Sequence, residues 1–375
     1  MNLLITGANG FMGKNLCATL RERGDRLLPI DVDTSAEQLR EAALDADFVF
    51  HLAGVNRPKD EAEFQTGNAD FTVTLLSLLE QGKKPPVLMS GSIQAELDNP
   101  YGRSKRQAEI AVSDYCARTG AKGYLYRLPN AFGKWSRPNY NSAVATFCYN
   151  IARGLPITVS DPARNLQLVY IDDIVEEFIR ALDGHASREA DGTCRVQPQY
   201  EATLGQVVDW LTRFHDSRTT LELPDQSNGL VRKLFATYQS FLPPETLAYQ
   251  PTQHTDARGS FTELLHMGGY GQVSVNVSRP GILKGEHWHH TKHEKFIVVA
   301  GRGIVRLRSI GDDEIFEYPV DGSNPTVVDI PPGYTHNIEN LGETDLVTIM
   351  WASEAFQPKR PDTYRLPVAT QTDKE

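Results

Sequence analysis

Five short apolar runs, NLLIT, RLLPID, DFVFHLA, PVLMSGS and GYLYRLP, punctuate the chain as far as Pro129. They are too apolar to alternate between core and solvent, so each reads as a strand buried on both faces. Between them FMGKNLCATLRERG, SAEQLREAALDA, DFTVTLLSLLEQG and SKRQAEIAVSDYCARTG carry helical spacing, and several end at glycine. Strand, helix, strand at this interval predicts an α/β unit, a doubly wound parallel sheet with helices on both faces. TLGQVVDWLTRF and LVRKLFATYQSFLPP read as an appended helical pair, the second stopped by Pro243 and Pro244. From Tyr249 to Pro367 the grammar changes to short β-branched runs between Gly, Pro, Asn and Asp. That stretch predicts an all-β domain, a small barrel or jelly roll, with a loose polar tail after Pro367. A length of 375 residues suits two domains, expected at 1–243 and 244–375.

The net charge of −10 argues against nucleic acid as the main partner. No apolar run is long enough to span a membrane, and MNLLITGANGF enters a strand without a basic, cleavable leader, so a cytoplasmic location is expected. Cys17, Cys116, Cys148 and Cys194 lie far apart and read as reduced, buried thiols.

TGANGFMG sets Gly7, Gly10 and Gly13 between the first strand and first helix, with Phe11 and Met12 opening the helix. Glycines there let backbone approach a pyrophosphate, and the helix N-terminus favours its charge. Asp31 ends the second strand, where a carboxylate can accept hydrogen bonds from a ribose 2′-hydroxyl. That favours NADH, but Arg57 or Lys14 could turn toward a 2′-phosphate, so NADPH stays open.

YGRSK places Tyr101 and Lys105 one helical turn apart, on one face. An ammonium beside a phenol is expected to lower its pKa, so that it can exchange a proton with a carbonyl or alcohol as hydride moves to or from nicotinamide. Ser90 or Ser92 could hold the substrate oxygen, and Ser92 is the better placed. The HLAG of Leu52, Ala53 and Gly54 ends an earlier strand and completes the set. A solvated helix pair is the bland alternative.

GANGFMG, HLAG, SGS, YGRSK, RLPNAFG and VYIDDIV together resemble the extended short-chain dehydrogenase/reductases that act on nucleotide-activated sugars, a Rossmann-type fold. The resemblance covers about 1–243. It implies that Ser92, Tyr101 and Lys105 are catalytic, and that Arg127, Pro129 and Asn130 help bind the sugar nucleotide. The short interval from Ser92 to Tyr101 removes a loop common in that family.

Four of the ten histidines crowd into GEHWHHTKHEKF. His287 and His289, two apart on a strand, point to one face, and Glu294 and the His336 of PPGYTHNIEN complete three imidazoles and a carboxylate. Brought together, these suit zinc or another divalent first-row metal. The two segments resemble the paired motifs of the cupin superfamily, with Pro325 where the second usually has glycine. That resemblance implies His287, His289, Glu294 and His336 as ligands, with a metal-free structural barrel as the alternative; by alternation His290 and His293 face elsewhere, toward supporting or surface positions. DARGSFTE followed by GILKGEHW is also similar to metal-free 3,5-epimerases of 4-keto-6-deoxy sugar nucleotides. That similarity implies Arg258 and Glu263 as substrate-binding residues and His287 as a base. A metal-bound imidazole has given up its lone pair, so His287 cannot be both, and the full ligand set favours ligand.

End to end, with NPYG, RLPNAFGKW, PNYNS, ATFCYNIARG, RGSFTE, QVSVNVS, HWHHTK, GYTHNIENLG and PDTY, the chain resembles the CapF-type enzymes of capsular-polysaccharide and O-antigen biosynthesis. That resemblance implies C3 epimerisation of UDP-2-acetamido-2,6-dideoxy-β-L-arabino-hexos-4-ulose in the cupin. NADPH-dependent C4 reduction to the L-talose derivative would follow, on the route to UDP-N-acetyl-L-fucosamine. It also implies zinc and a homodimer. The rivals are a reductase or 4-epimerase with a purely structural cupin, and a redox-sensing binding protein.

Overall fold

The computed structural model describes residues 1–355, 359 and 361–369. It forms two units: Met1–Thr212 with Lys233–Pro243, and Arg213–Arg232 with the chain from Pro244 onward. The helical appendage is therefore divided rather than wholly in the first unit. The connection between its helices is drawn to the β-rich unit by backbone hydrogen bonds from His266 N–H to the Leu221 carbonyl and from Leu223 N–H to the His266 carbonyl, both 2.7 Å.

In the first unit β1 (Asn2–Thr6), β2 (Arg26–Ile30), β3 (Phe48–His51), β4 (Val87–Ser92) and β5 (Gly123–Leu128) form one sheet, ordered β2-β1-β3-β4-β5. Every neighbouring pair is parallel. The order reverses between β1 and β3, where Thr6 pairs with His51, and such a reversal opens a crevice at the strands' carboxyl ends. Odd and even residues of β1 enter separate cores. Leu3 and Ile5 pack with Leu16, Leu20, Phe50 and Phe178, whereas Leu4 packs with Val49, Leu75, Leu79, Val112 and Tyr115. Burial on both faces explains the unbroken apolar runs of β1, β3 and β4; the edge strands β2 and β5, expected to be buried the same way, are only partly covered.

Helices α1 (Phe11–Glu22), α2 (Ala36–Asp45) and α5 (Pro100–Thr119) follow β1, β2 and β4. Before β4, α3 (Ala62–Phe64), a π-helical turn at Gln65–Asp70 and α4 (Phe71–Gln81) run on without interruption. Helix α5 begins four residues earlier than the Ser104 start read from sequence. Asn99 caps it by accepting from Gly102 N–H, Pro100 occupies the first turn, and Gly120 ends it in the left-handed region. A small sheet not anticipated from sequence joins β6 (Asn130–Phe132), β7 (Asn165–Tyr170) and β8 (Tyr200–Thr203). The helices that follow α5 in the chain are α6 (Ala143–Ile151), α7 (Ile171–Leu182), α8 (Leu204–Thr220) and α9 (Gly229–Gln239). Helix α9 stops at Gln239, before the prolines expected to end it.

The second unit is antiparallel β throughout its two sheets, as expected for a jelly roll. One contains β9 (Gln253–Asp256), β10 (Gly259–His266), β11 (Gln272–Ser278), β13 (Glu294–Ala300), β16 (Val327–Ile330) and β18 (Leu346–Ala352). The other contains β12 (Leu283–Trp288), β14 (Arg302–Ser309), β15 (Ile315–Asp321), β17 (Tyr334–Asn340) and β19 (Tyr364–Arg365). Phe296, Val298, Val305, Leu307, Ile338 and Leu346 fill their shared core. Val368, expected in a loose tail, is 1% exposed, and Arg308 donates to its carbonyl at 2.7 Å; the rest of the expected tail, from 370 on, lies outside the described residues.

Candidate functional site

The glycine turn sits at the β1–β3 reversal. Gly7 has φ of +68°, and a Cβ there would come within 2.9 Å of the Ala53 Cα. A Cβ at Gly13 would lie 2.2 Å from the Gly7 carbonyl oxygen. The sequence folds this way because only glycine permits both the left-handed turn and the close helix approach. Ala53 N–H donates to the Thr6 hydroxyl at 3.2 Å, tying the HLAG segment to the turn. Phe11 and Met12 pack partly into the core. Helix α1 starts at Gly10 with no side-chain cap and no acid in its first turn, leaving an N-terminus suited to an anion. The Asp31 carboxylate stands against this turn, accepting from Asn9 N–H at 2.7 Å and Val32 N–H at 2.9 Å.

Tyr101, Ser92 and Lys105 converge at the ends of β4 and α5. The Ser92 hydroxyl hydrogen-bonds with the Tyr101 phenol and accepts from Gln94 N–H at 3.2 Å. Ser90 is buried and turned to the His51 carbonyl, 3.4 Å away. The Lys105 Nζ lies 6.0 Å from the Tyr101 ring centroid, and a Cβ on Gly54 would sit 2.7 Å from it.

The Tyr101 pKa is not lowered by Lys105 as expected; it is raised. Burial raises the phenol's pKa, the Ser92 hydrogen bond opposes that rise, and Tyr140 adds to it. Desolvation disfavours phenolate more than a lysine 6.0 Å from the ring can favour it. Lys105, 6% exposed, is itself pushed down to about 8 by burial, against the pull of Glu109. Its ammonium has no hydrogen-bond acceptor among the described residues. A buried donor beside a glycine and an uncapped helix fits the hydroxyls and phosphates of a dinucleotide.

Arg127 is engaged by the protein itself, donating to Glu109 at 2.8 Å and to Glu96 at 3.3 Å. Pro129 and Asn130 lie just beyond β5, and Asn130 donates to the Gln167 carbonyl at 3.0 Å. Tyr140, unremarked in the sequence, is close enough to influence the Tyr101 phenol; only its place in PNYNS could have signalled it.

In the β-rich unit His287, His289, Glu294 and His336 present ligand atoms all within 4.8 Å of one another. His287 pairs with His336 across β12 and β17, and Glu294 opens β13 in the facing sheet. The Glu294 Oε2 lies 3.3 Å from His336 Nε2 and 3.5 Å from His289 Nε2. Despite those separations, all three atoms are buried without an aligned hydrogen bond. His289 Nδ1 donates to the Asp362 carbonyl, so its Nε2 carries a lone pair. Burial, then His336, pushes His287 down to about 4, keeping it neutral. Orphaned lone pairs facing a carboxylate fit a divalent cation. His290 and His293 stand outside the group, edge-on to Trp288 and Trp351.

Arg258 pairs with Asp256 at 2.7 Å. It lines a cavity of about 300 Å³ with His254, Ser260, Asn276 and Lys284. Lys284 donates to Asn276 Oδ1 and the Val277 carbonyl, each at 2.8 Å. Glu263 lies 3.3 Å from His266 Nε2 and does not line that cavity.

Residues 3–194 match the NAD dependent epimerase/dehydratase family, and residues 254–364 match the polysaccharide biosynthesis C-terminal domain. A UDP-2-acetamido-2,6-beta-L-arabino-hexul-4-ose reductase of Pseudomonas aeruginosa is 43% identical over 97% of this chain and 98% of its own. The capsular polysaccharide assembling protein CapF of Staphylococcus aureus superposes with a TM-score of 0.92 at 49% identity, covering 98% of this chain and all of that one. The spore coat polysaccharide biosynthesis protein SpsL of Bacillus subtilis is 31% identical over 32% of this chain and 86% of its own. No described helix is long and apolar enough to cross a membrane. The chain belongs to the NAD-dependent epimerase/dehydratase family of oxidoreductases, in the CapF-type form that joins an extended short-chain dehydrogenase/reductase to a polysaccharide biosynthesis C-terminal domain.

Proposed function

We propose that the protein converts UDP-2-acetamido-2,6-dideoxy-β-L-arabino-hexos-4-ulose to UDP-2-acetamido-2,6-dideoxy-L-talose. The β-rich unit inverts C3, and the first unit then reduces C4. The reading is carried by one observation: a Ser92–Tyr101–Lys105 cluster and a buried four-ligand cluster occur on a single chain. The named activity of the Pseudomonas relative supports the second step.

The C4 ketone acidifies the C3 hydrogen. A zinc ion or similar divalent cation, held by His287, His289, Glu294 and His336, would supply Lewis-acid stabilisation for the negative charge that appears when that hydrogen leaves. In the first unit the nicotinamide supplies hydride. There Tyr101 donates its proton to the C4 oxygen, a task that its burial-raised pKa suits by keeping the phenol protonated. Ser92 orients that oxygen, and Lys105 binds the nicotinamide-side ribose beside Gly54. Gly7, Gly10 and Gly13 admit the pyrophosphate to the α1 N-terminus. Asp31 favours a free ribose 2′-hydroxyl and so NADH, while the family resemblance implies NADPH.

On this reading Pro129, Asn130, Arg258 and Glu263 contribute to the sugar-nucleotide sites. Arg127 acts from its ion pair with Glu109. The enzyme works in the cytoplasm as a homodimer. Epimerisation alone ends near an even mixture, and reduction traps one isomer.

The test is to incubate enzyme, 4-keto substrate and reduced cofactor, then assign the product's C3 and C4 configurations by NMR. The L-talose configuration supports the reading. Reduction with C3 unchanged would leave a reductase with a structural β unit.

A further inference from the structure

We propose that Asp362, on a strap formed by residues 361–368, is a positioning residue that holds the His287–Lys292 segment in ligand geometry before a cation binds. The inference rests on the metal centre proposed above.

The strap meets the ligand segment at three points. The Asp362 carboxylate accepts from the N–H groups of His290, Thr291 and Lys292 at 2.9, 2.8 and 2.9 Å, and from the Thr291 hydroxyl at 3.0 Å. These bonds close the turn between the ligands His289 and Glu294. The Asp362 carbonyl accepts from His289 Nδ1, which fixes the tautomer and aims the Nε2 lone pair inward. Next, Tyr364 and Arg365 pair as β19 with Trp288 and His287. Finally, Leu366 N–H donates to the Glu286 carbonyl at 2.9 Å, and Val368 N–H donates to the Glu286 carboxylate at 3.2 Å.

Glu286 needs this support. It has φ of +62°, a strained value for a residue with a side chain. The register of β12 against β17 shifts between Gly285 and His287, and that shift sets His287 opposite His336. Asn337 Nδ2 donates to the other Glu286 carboxylate oxygen at 2.5 Å. Arg308 anchors the strap's far end through the Pro367 and Val368 carbonyls. A tail that merely covered surface would not send its carboxylate, carbonyl and amides to the ligand strand.

The test uses full-length, chelator-stripped protein titrated with zinc alone against a chromophoric chelator. Asp362→Ala is expected to weaken zinc binding roughly ten- to a hundred-fold. Asp362→Asn, which keeps one acceptor oxygen, should recover part of that loss. In the metal-free parent the amides of residues 290–292 should resist hydrogen exchange, and in Asp362→Ala they should lose that protection. Parent-like zinc affinity in both variants overturns the proposal, as does absence of protection in the metal-free parent. If Asp362→Ala does not fold, undiminished affinity in Asp362→Asn overturns it alone. A parent that takes up no zinc refutes the metal centre itself, which is a distinct result.

Discussion

His51 offers a quantitative test of how the nucleotide crevice is held. It ends β3 at 2% exposure, with Nδ1 2.8 Å from the Thr6 hydroxyl and Nε2 2.8 Å from the Thr72 hydroxyl. Burial, with a smaller push from Lys105, lowers its pKa from 6.5 to about 3. The unfolded chain therefore takes up a proton that the folded protein refuses. The stability this residue contributes is complete above pH 6.5 and is lost as pH falls toward 3. The loss is about 1.4 kcal/mol by pH 5.5, approaching about 4 kcal/mol near pH 3. Urea unfolding from pH 7.5 to 4.5, with peptide-resolved hydrogen exchange reporting on β1 and β3, measures it. In His51→Gln, which cannot titrate, the pH slope should be shallower by about 1.4 kcal/mol per unit below pH 6. Identical slopes in parent and variant would rule out this role for His51. They would mean that the imidazole protonates in place or that the Thr6–His51–Thr72 chain opens without cost.

Three other outcomes are expected. Gly13→Ala drives a Cβ to within 2.2 Å of the Gly7 carbonyl; the strain of about 1–3 kcal/mol should lower the melting temperature, and nicotinamide fluorescence should report lost cofactor binding. Ser92→Ala removes the hydrogen bond that restrains the Tyr101 pKa, so the basic limb of the reduction pH profile should move upward while kcat falls roughly a hundred-fold. His336→Ala takes away one of four convergent ligands; bound zinc by elemental analysis should fall and C3 exchange should stop, while reduction of a substrate already inverted at C3 continues.

Local chemistry was legible and long-range chemistry was not. Gly7, Gly10 and Gly13 declare themselves because a strand, a tight turn and a helix follow one another without a break. The Tyr101–Lys105 spacing revealed their shared face, but not the desolvation that raises the tyrosine. NPYG contained the true start of α5, since Asn99 and Pro100 are ordinary helix-opening residues. The β6–β8 sheet was missed because β6 and β8 are short and all three strands are separated by helices. Tyr170, which ends β7, runs straight into α7 without a side-chain cap to mark the boundary. Asp362 was invisible as a partner of the histidine segment because it lies 72 residues from His290 and belongs to no metal motif. Alternation set His287 and His289 on one face and His290 off it, and the three ligand imidazoles do gather apart from His290, but nothing local announced the Glu286 bulge that maintains the pairing with His336.

On the proposed function, the β-rich unit loosens the C3 hydrogen independently of hydride transfer. The most direct measurement uses zinc-loaded Tyr101→Phe protein with the 4-keto sugar nucleotide in D2O, read by mass spectrometry and NMR. Deuterium is expected at C3 without oxidation of the reduced cofactor. A C3 position that keeps its original hydrogen would contradict it.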